Sequence, residues 1–405
     1  MISKALIVGT YQKKLEEMAA VPDIDLTVVV PPCWIDERGT MPLERVYTQG
    51  YDLRVTEIAL NGHFHLHYYP RLKKIIQEVQ PDVVHIDEEP YNVASFQAMR
   101  LARRVGARTV VFTWQNLRRS YPPPFRWIER YVLRNTDALI AGNSEAIDVW
   151  RAKKYGGPIY VIPQFGVDPR IFQRQEHAIR KSKPSILLRR SARRPSQPHL
   201  TIGYVGRLVP QKGIDILLQA AARLEGPWDL KILGGGPERY RLERMAQWLG
   251  ISGRVTFSPQ LPSTHLPNYL SGLDVLVLPS LSRPNWKEQF GRVLVEAMAC
   301  NVVVVGAESG AIPEVVGDAG LTFPEGDIEA LHDRLQRLLS DPELRQTFQK
   351  LGRQHVTERF TQAAIARATV KVYRQILGET EDEPTSDDLQ EVHNSTRQVS
   401  WLTGD

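Results

Sequence analysis

Apolar residues in this chain fall in short runs separated by longer amphipathic stretches, the pattern of buried parallel strands alternating with helices. In the first half the strand-like runs are Ala5 to Val8, Leu26 to Val30, Pro81 to Ile86, Thr109 to Thr113, Ala138 to Ala141 and Tyr160 to Ile162. In the second half they are Ile202 to Val205, Asp274 to Ser280 and Val302 to Gly306, with helical periodicity over Asp215 to Leu224, Phe290 to Cys300 and Ala363 to Leu377. The expected class is α/β with parallel sheets covered on both faces. A chain of 405 residues suits two such domains of about 150–200 residues each.

The stretch most informative for chemistry runs from Glu288 to Glu296, between the run Asp274–Ser280 and the run Val302–Gly306. It reads as the loop and helix of a βαβ unit, with Gly291 where a missing side chain lets a phosphate approach the backbone. Continued through a helix, eight residues separate the two carboxylates by roughly 12 Å and turn them about 80° apart. That is too far for a paired acid and base. It suits gripping both ends of an extended ligand whose anionic middle sits at the helix start. Sugar, pyrophosphate and ribose have that shape; taken alone, two glutamates so spaced read first as solvated charges, and it is the βαβ context that favours the ligand.

A second loop, after Ile202–Val205, carries Arg207 and Lys212 ahead of the helix Asp215–Leu224. Arginine offers a planar fork to phosphate oxygens and lysine a compact charge, so the pair can neutralise a pyrophosphate. The bland alternative is two surface cations.

The run Trp286–Arg292 continuing through Glu296–Cys300 resembles the signature of the retaining family-4 glycosyltransferases. Gly203–Gly213 is similar to that family's donor-phosphate loop, and Ile232–Glu238 and Ser309–Glu314 follow in the family's order. The resemblance covers about residues 1–377 and is strongest in the second half. It implies the GT-B fold, two Rossmann-like domains facing across a cleft. It divides the chain into an acceptor-side domain (1–172), a basic linker (173–199), a nucleotide-sugar donor domain (200–360), a helix returning to the first domain (361–377) and an acidic tail (378–405).

The activity implied is metal-independent transfer of a sugar from a nucleoside diphosphate sugar, UDP-sugar by default, to a hydroxyl with retained configuration. No cofactor is implied, the donor being a co-substrate. Glu288 would hold donor-sugar hydroxyls and Glu296 the ribose. Arg207, Lys212 and the backbone at Phe290 and Gly291 would stabilise the departing diphosphate, with Gly206, Gly235 and Pro237 in the loops around it. In the acceptor half, Gln115 stands where many members carry histidine, and it is expected to position rather than titrate, together with Asn116, His85 and Tyr11. Asn301 replaces a common glycine, an exchange that asparagine's tolerance of left-handed backbone makes mild.

Charge refines this picture. Net charge is +5, from 51 basic and 46 acidic residues, with pI near 9.1. A basic, proline-containing run spans Arg180 to Arg194, and an acidic tail follows Leu377, expected to be disordered. The basic run lacks aromatics for stacking bases, which argues against a nucleic-acid partner. Residues 118–134 mix arginines with Tyr121, Phe125, Trp127 and Ile128, which reads either as an interfacial segment touching an anionic membrane or as a core-facing helix with snorkelling arginines; the acceptor expected is a glycan, a lipid-linked sugar or a small molecule. Two cysteines, no signal-like apolar core and no run of membrane-spanning length point to the cytoplasm. His63, His65 and His67 alternate as on a strand, but no cysteine or carboxylate nearby completes a metal site. His85 precedes Asp87, Glu88 and Glu89, a loop read as either solvated or cleft-lining. An epimerase or phosphorylase on the same fold is the alternative enzyme, and a catalytically inactive nucleotide-sugar binder the alternative to enzymes.

Overall fold

Valine- and leucine-rich runs that would be insoluble on a surface become the centres of two parallel sheets. The computed structural model describes residues 1–36, 39–174 and 199–379. The basic run between the halves and the acidic tail lie almost wholly outside the described residues.

In the second half, β9 (Leu200–Val205), β10 (Trp228–Leu233), β11 (Val255–Ser258), β12 (Val275–Leu278), β13 (Val303–Ala307) and β14 (Leu321–Phe323) form one sheet in the order β11-β10-β9-β12-β13-β14. Every pairing is parallel. Every residue of β12 and β13 is buried, as helices on both faces require. Numbered within this half, the strand order is 3-2-1-4-5-6, the doubly wound arrangement that opens a crevice where β9 and β12 diverge.

The first half repeats that plan with one strand reduced to a point. β1 (Thr27–Val30) pairs with β4 (Asp52–Val55), and β5 (Val83–Ile86), β6 (Arg108–Thr113), β7 (Ala138–Ala141) and β8 (Ile159–Val161) follow in order. Between β1 and β5 the link is the single-residue bridge of Ile2, paired to Val29 and to Ile86. The strand expected over Ala5–Val8 is therefore corrected: Ala5–Ile7 and Gly9–Tyr11 are two 3-10 turns. The reason lies just upstream. Ser3 donates to Asp87 at 2.6 Å and Lys4 pairs with Glu88, so the chain is pinned after one bridge and then turns, its Leu6 and Ile7 still reaching the core. A short antiparallel hairpin, β2 (Cys33–Asp36) and β3 (Gly39–Pro42), is added outside the sheet.

Helices α1 (Lys13–Ala19), α2 (Leu72–Val79), α3 (Val93–Val105), α4 (Phe125–Asn135) and α5 (Glu145–Ala152) cover this sheet. In the second half, α6 (Ile214–Ala221), α7 (Arg239–Trp248), α8 (Leu266–Ser271), α9 (Arg292–Ala299), α10 (Ile312–Val316), α11 (Ile328–Ser340) and α12 (Pro342–Arg359) do the same. The last helix, α13 (Gln362–Leu377), leaves that half. Thr361 caps it by accepting from Ala364, and its Ile365, Ala366, Val370 and Tyr373 pack with Leu6, Leu15, Met18 and Phe112 of the first. No helix among the described residues is long and apolar enough to cross a membrane.

Candidate functional site

The crevice between β9 and β12 is where the predicted donor residues meet. The loop after β9 brings Lys212 forward on a short 3-10 turn, and Gly213 follows with φ 60°. A side chain at Gly213 would meet the Pro279 carbonyl at 2.0 Å, so this loop and the one after β12 touch backbone to backbone. From the second loop comes Glu288. Its carboxylate pairs with Lys212 and accepts from the Ser280 hydroxyl at 3.0 Å, and its carbonyl accepts from Ala311 at 3.0 Å. Lys212 also lies 4.9 Å over the Trp286 ring. Arg207 stands exposed at the loop's edge, while Gly235 has open space where a side chain would be and Pro237 is exposed beyond it.

Helix α9 begins two residues later than the expected Phe290, because Gly291 takes φ 73° and serves as its N-cap. No side chain caps its first turn. Phe290 is buried and wedged 5.8 Å from the rings of both Trp114 and Phe360, so only its backbone faces this end. Glu296, 3% exposed, accepts from Arg292 Nε at 2.7 Å. Burial raises its carboxyl above the usual range, and Arg292 works against that rise. Asn301 adopts φ 56°, the left-handed backbone expected of it.

The acceptor-side residues divide. Tyr11, stacked at 3.8 Å on Phe165, receives a hydrogen bond from Arg292 at 2.6 Å, and Asn116 donates to the Glu288 carbonyl at 3.1 Å. Both therefore face the donor loops. Gln115 is held by its own neighbours, donating to the Leu117 carbonyl and accepting from Lys153 at 3.1 Å. His85 stands apart from them: it is 3% exposed, with Nδ1 2.6 Å from the Tyr373 hydroxyl on α13. Its imidazole is held well below the usual range by burial and by Lys14.

Of the carboxylates after His85, Asp87 and Glu88 are buried and Glu89 is half-buried. Asp87 accepts from Ser3 and Gln164, Glu88 from Lys4 and Tyr69, and Glu89 from Thr113 and the Trp114 amide. They bind the first half together. The three alternating histidines do not form a strand either, since residues 60–67 turn back through His63 N–H to Leu60 and His67 N–H to His63.

Several cleft residues were invisible to motif reading. Asn143 donates to the Gln289 carbonyl at 2.8 Å, Ser144 donates twice to Glu314, Lys287 pairs with Glu145 at 2.8 Å, and Arg119 donates to the Asn285 carbonyl at 2.7 Å. The first half thus grips the loop 285–289 along its length. The signal available was only the polar character of Asn143–Glu145 directly after a buried strand. A cavity of about 80 Å³ lies at this junction, lined by Asn143, Phe290 and Glu314 among others.

Two doubly wound domains meeting over such a crevice define the GT-B class. One family model, the glycosyl transferase 4-like domain, matches residues 9–162, and another, glycosyl transferases group 1, matches residues 189–355. The chain belongs to the group 1 glycosyltransferases. It is 37% identical over 145 residues to the GDP-mannose-dependent alpha-(1-6)-phosphatidylinositol monomannoside mannosyltransferase of Mycolicibacterium smegmatis, a match covering 34% of this chain and 38% of that one. With the D-inositol 3-phosphate glycosyltransferase of Corynebacterium urealyticum it shares 32% identity over 262 residues, 62% of this chain and 58% of the relative. The matched stretches thus span less than two thirds of either relative. Among solved structures, Anabaena HepE in complex with UDP aligns with a TM-score of 0.65 at 18% identity, covering 91% of this chain and 96% of that one, a likeness of fold.

Proposed function

We propose that this chain transfers a glycosyl group from a nucleoside diphosphate sugar to an acceptor hydroxyl, with retention of configuration and without a metal. The observation that carries the reading is the convergence of Lys212, Ser280 and Glu288 beside the uncapped start of α9, with Glu296 one turn further along. Glu288 accepts hydrogen bonds from the donor sugar and Glu296 from the ribose. The bond from the anomeric carbon to the phosphate oxygen breaks as that from the acceptor oxygen forms on the same face. Arg207, Lys212 and the amides at Phe290 and Gly291 stabilise the charge that the departing diphosphate acquires. That phosphate takes the acceptor proton, so Gln115 needs no titratable group. Gly206, Gly235 and Pro237 shape the loops around the nucleotide, while Tyr11, Gln115 and Asn116 position the acceptor.

UDP is the default base, in keeping with HepE, although the mannosyltransferase relative is named for GDP-mannose. The acceptor is a glycan, a lipid-linked sugar or a small molecule. Trp127, 60% exposed among the arginines of α4, supports peripheral contact with an anionic membrane, and we place the protein in the cytoplasm. Thermal-shift and calorimetric titration with UDP-, GDP- and ADP-sugars tests the reading. One nucleotide class should stabilise the wild type and not Glu296→Ala; absence of binding to the wild type overturns it.

A further inference from the structure

We propose that the groove between α4 and the segment that follows α5 is an acceptor subsite for a phosphate- or carboxylate-bearing group, an inference that rests on the transferase reading above. The groove encloses about 710 Å³ and is lined by Arg118 and Arg119, by Arg126, Arg130 and Arg134 of α4, and by Lys153 and Lys154 after α5. On α4 the arginines recur every four residues, which aligns them as one stripe along the groove wall.

Charge balance inside the groove is one-sided. Its single lining carboxylate, Glu129, is already engaged by Lys153. Burial raises the Glu129 carboxyl and lowers the Lys153 ammonium, the mark of a pair withdrawn from water. Among the described residues, Arg118, Arg126, Arg130, Arg134 and Lys154 form no ion pair. A cleft lined by one sign of charge concentrates counter-ions of the other, and arginine forks match phosphate and carboxylate oxygens.

The groove is also wired to the reaction centre. Lys153 donates to Gln115 at 3.1 Å, and Arg119 reaches the Asn285 carbonyl on the donor-side loop that leads to Glu288. An anion seated along α4 therefore lies against residues that join directly to both sides of the cleft. A nucleic acid fits less well, since Tyr121 and Tyr155 are the aromatics in the lining; Tyr121 is already stacked on Tyr91 at 4.2 Å and Tyr155 is buried. The cations line a concavity, which suits a discrete anionic group, while the exposed Trp127 that supports membrane contact stands outside that lining.

The test uses inorganic pyrophosphate as probe, titrated into the full chain with the donor site saturated by the nucleoside diphosphate that binds it. The double variant Arg126→Gln/Arg130→Gln removes two exposed charges and leaves the core intact. Wild type should bind the probe, and the variant should bind it about tenfold or more weakly, with nucleoside diphosphate affinity unchanged. Equal probe affinity in the two proteins, or none in either, overturns the subsite. Failure of the nucleoside diphosphate to bind wild type would instead overturn the transferase reading, so the two failures are separable. Displacement of the probe by polyprenyl phosphate in neutral phosphatidylcholine vesicles assigns the anion to a lipid headgroup, and displacement by glucose 1-phosphate alone assigns it to a soluble acceptor. Binding only to phosphatidylglycerol-containing vesicles, or only to a single-stranded oligonucleotide, overturns the proposal in favour of a membrane or nucleic-acid surface.

Discussion

The two sides of the cleft handle charge in opposite ways. On the donor side the central carboxylates are matched: Glu288 with Lys212, Glu296 with Arg292. In the first half the groove along α4 collects cations and holds one carboxylate that is already occupied. The difference teaches what each side expects from its ligand. Carboxylates held by cations can be lent to neutral hydroxyls without leaving a bare buried charge when the site is empty. Unmatched cations wait for a ligand that brings the negative charge itself.

The comparison breaks most visibly at its donor pairs. Glu288→Ala or Lys212→Ala should lower turnover by about 10²–10³-fold, the scale of removing one preorganised stabilising group. Steady-state kinetics of both variants checks this, and near-normal turnover in both would remove these residues from the chemistry. Next in size, Arg292→Leu strands Glu296 as a buried carboxylate without its cation. We expect a loss of about 1–3 kcal/mol in stability together with weaker nucleotide binding. Denaturant melts of Arg292→Leu and of Arg292→Leu/Glu296→Gln should show the second change restoring part of what the first lost.

A smaller effect concerns pH. Burial opposes ionisation of Glu88, but Lys4 and His67 outweigh it and hold the carboxyl at about 2, below its ordinary 4.5. A depressed carboxyl contributes stability that is present above 4.5 and is lost as pH falls toward 2. Wild type should therefore lose stability across that window, and Glu88→Gln should flatten the slope there. A slope unchanged in the variant would mean that other groups set the acid limit. The smallest expected effect is that of Tyr11→Phe, which removes one hydrogen bond across the cleft from Arg292. It should cost about 0.5–1.5 kcal/mol and should sharpen the comparison by moving nucleotide affinity less than Arg292→Leu does.

Legibility follows the same division. The donor loops were readable because each is a strand, a turn and a helix start contiguous in sequence, so Gly206–Gly213 and Glu288–Glu296 carry their geometry locally. The start of α9 was misplaced by two residues because Gly291 in left-handed backbone ends the preceding loop rather than continuing the helix. Ala5–Val8 has the apolar content of a strand, but Ser3 and Lys4 are anchored to Asp87 and Glu88, more than eighty residues away. No periodicity reveals such anchors. The burial of His85 was hidden for a like reason: its partner, Tyr373, arrives from the last helix.

The sequence by itself determined the class of fold and the alternation that builds two parallel sheets, because these depend on neighbours within one strand–loop–helix unit. Tertiary structure alone decided which charges are matched. Arg292, already beside Glu296 on its own helix, also meets Tyr11 of the first half, Lys153 takes up Glu129, and the first half grips the loop 285–289, contacts between elements that only packing brings together. A charge's meaning depends on what lies within a few ångströms of it in space, and chain order does not record that.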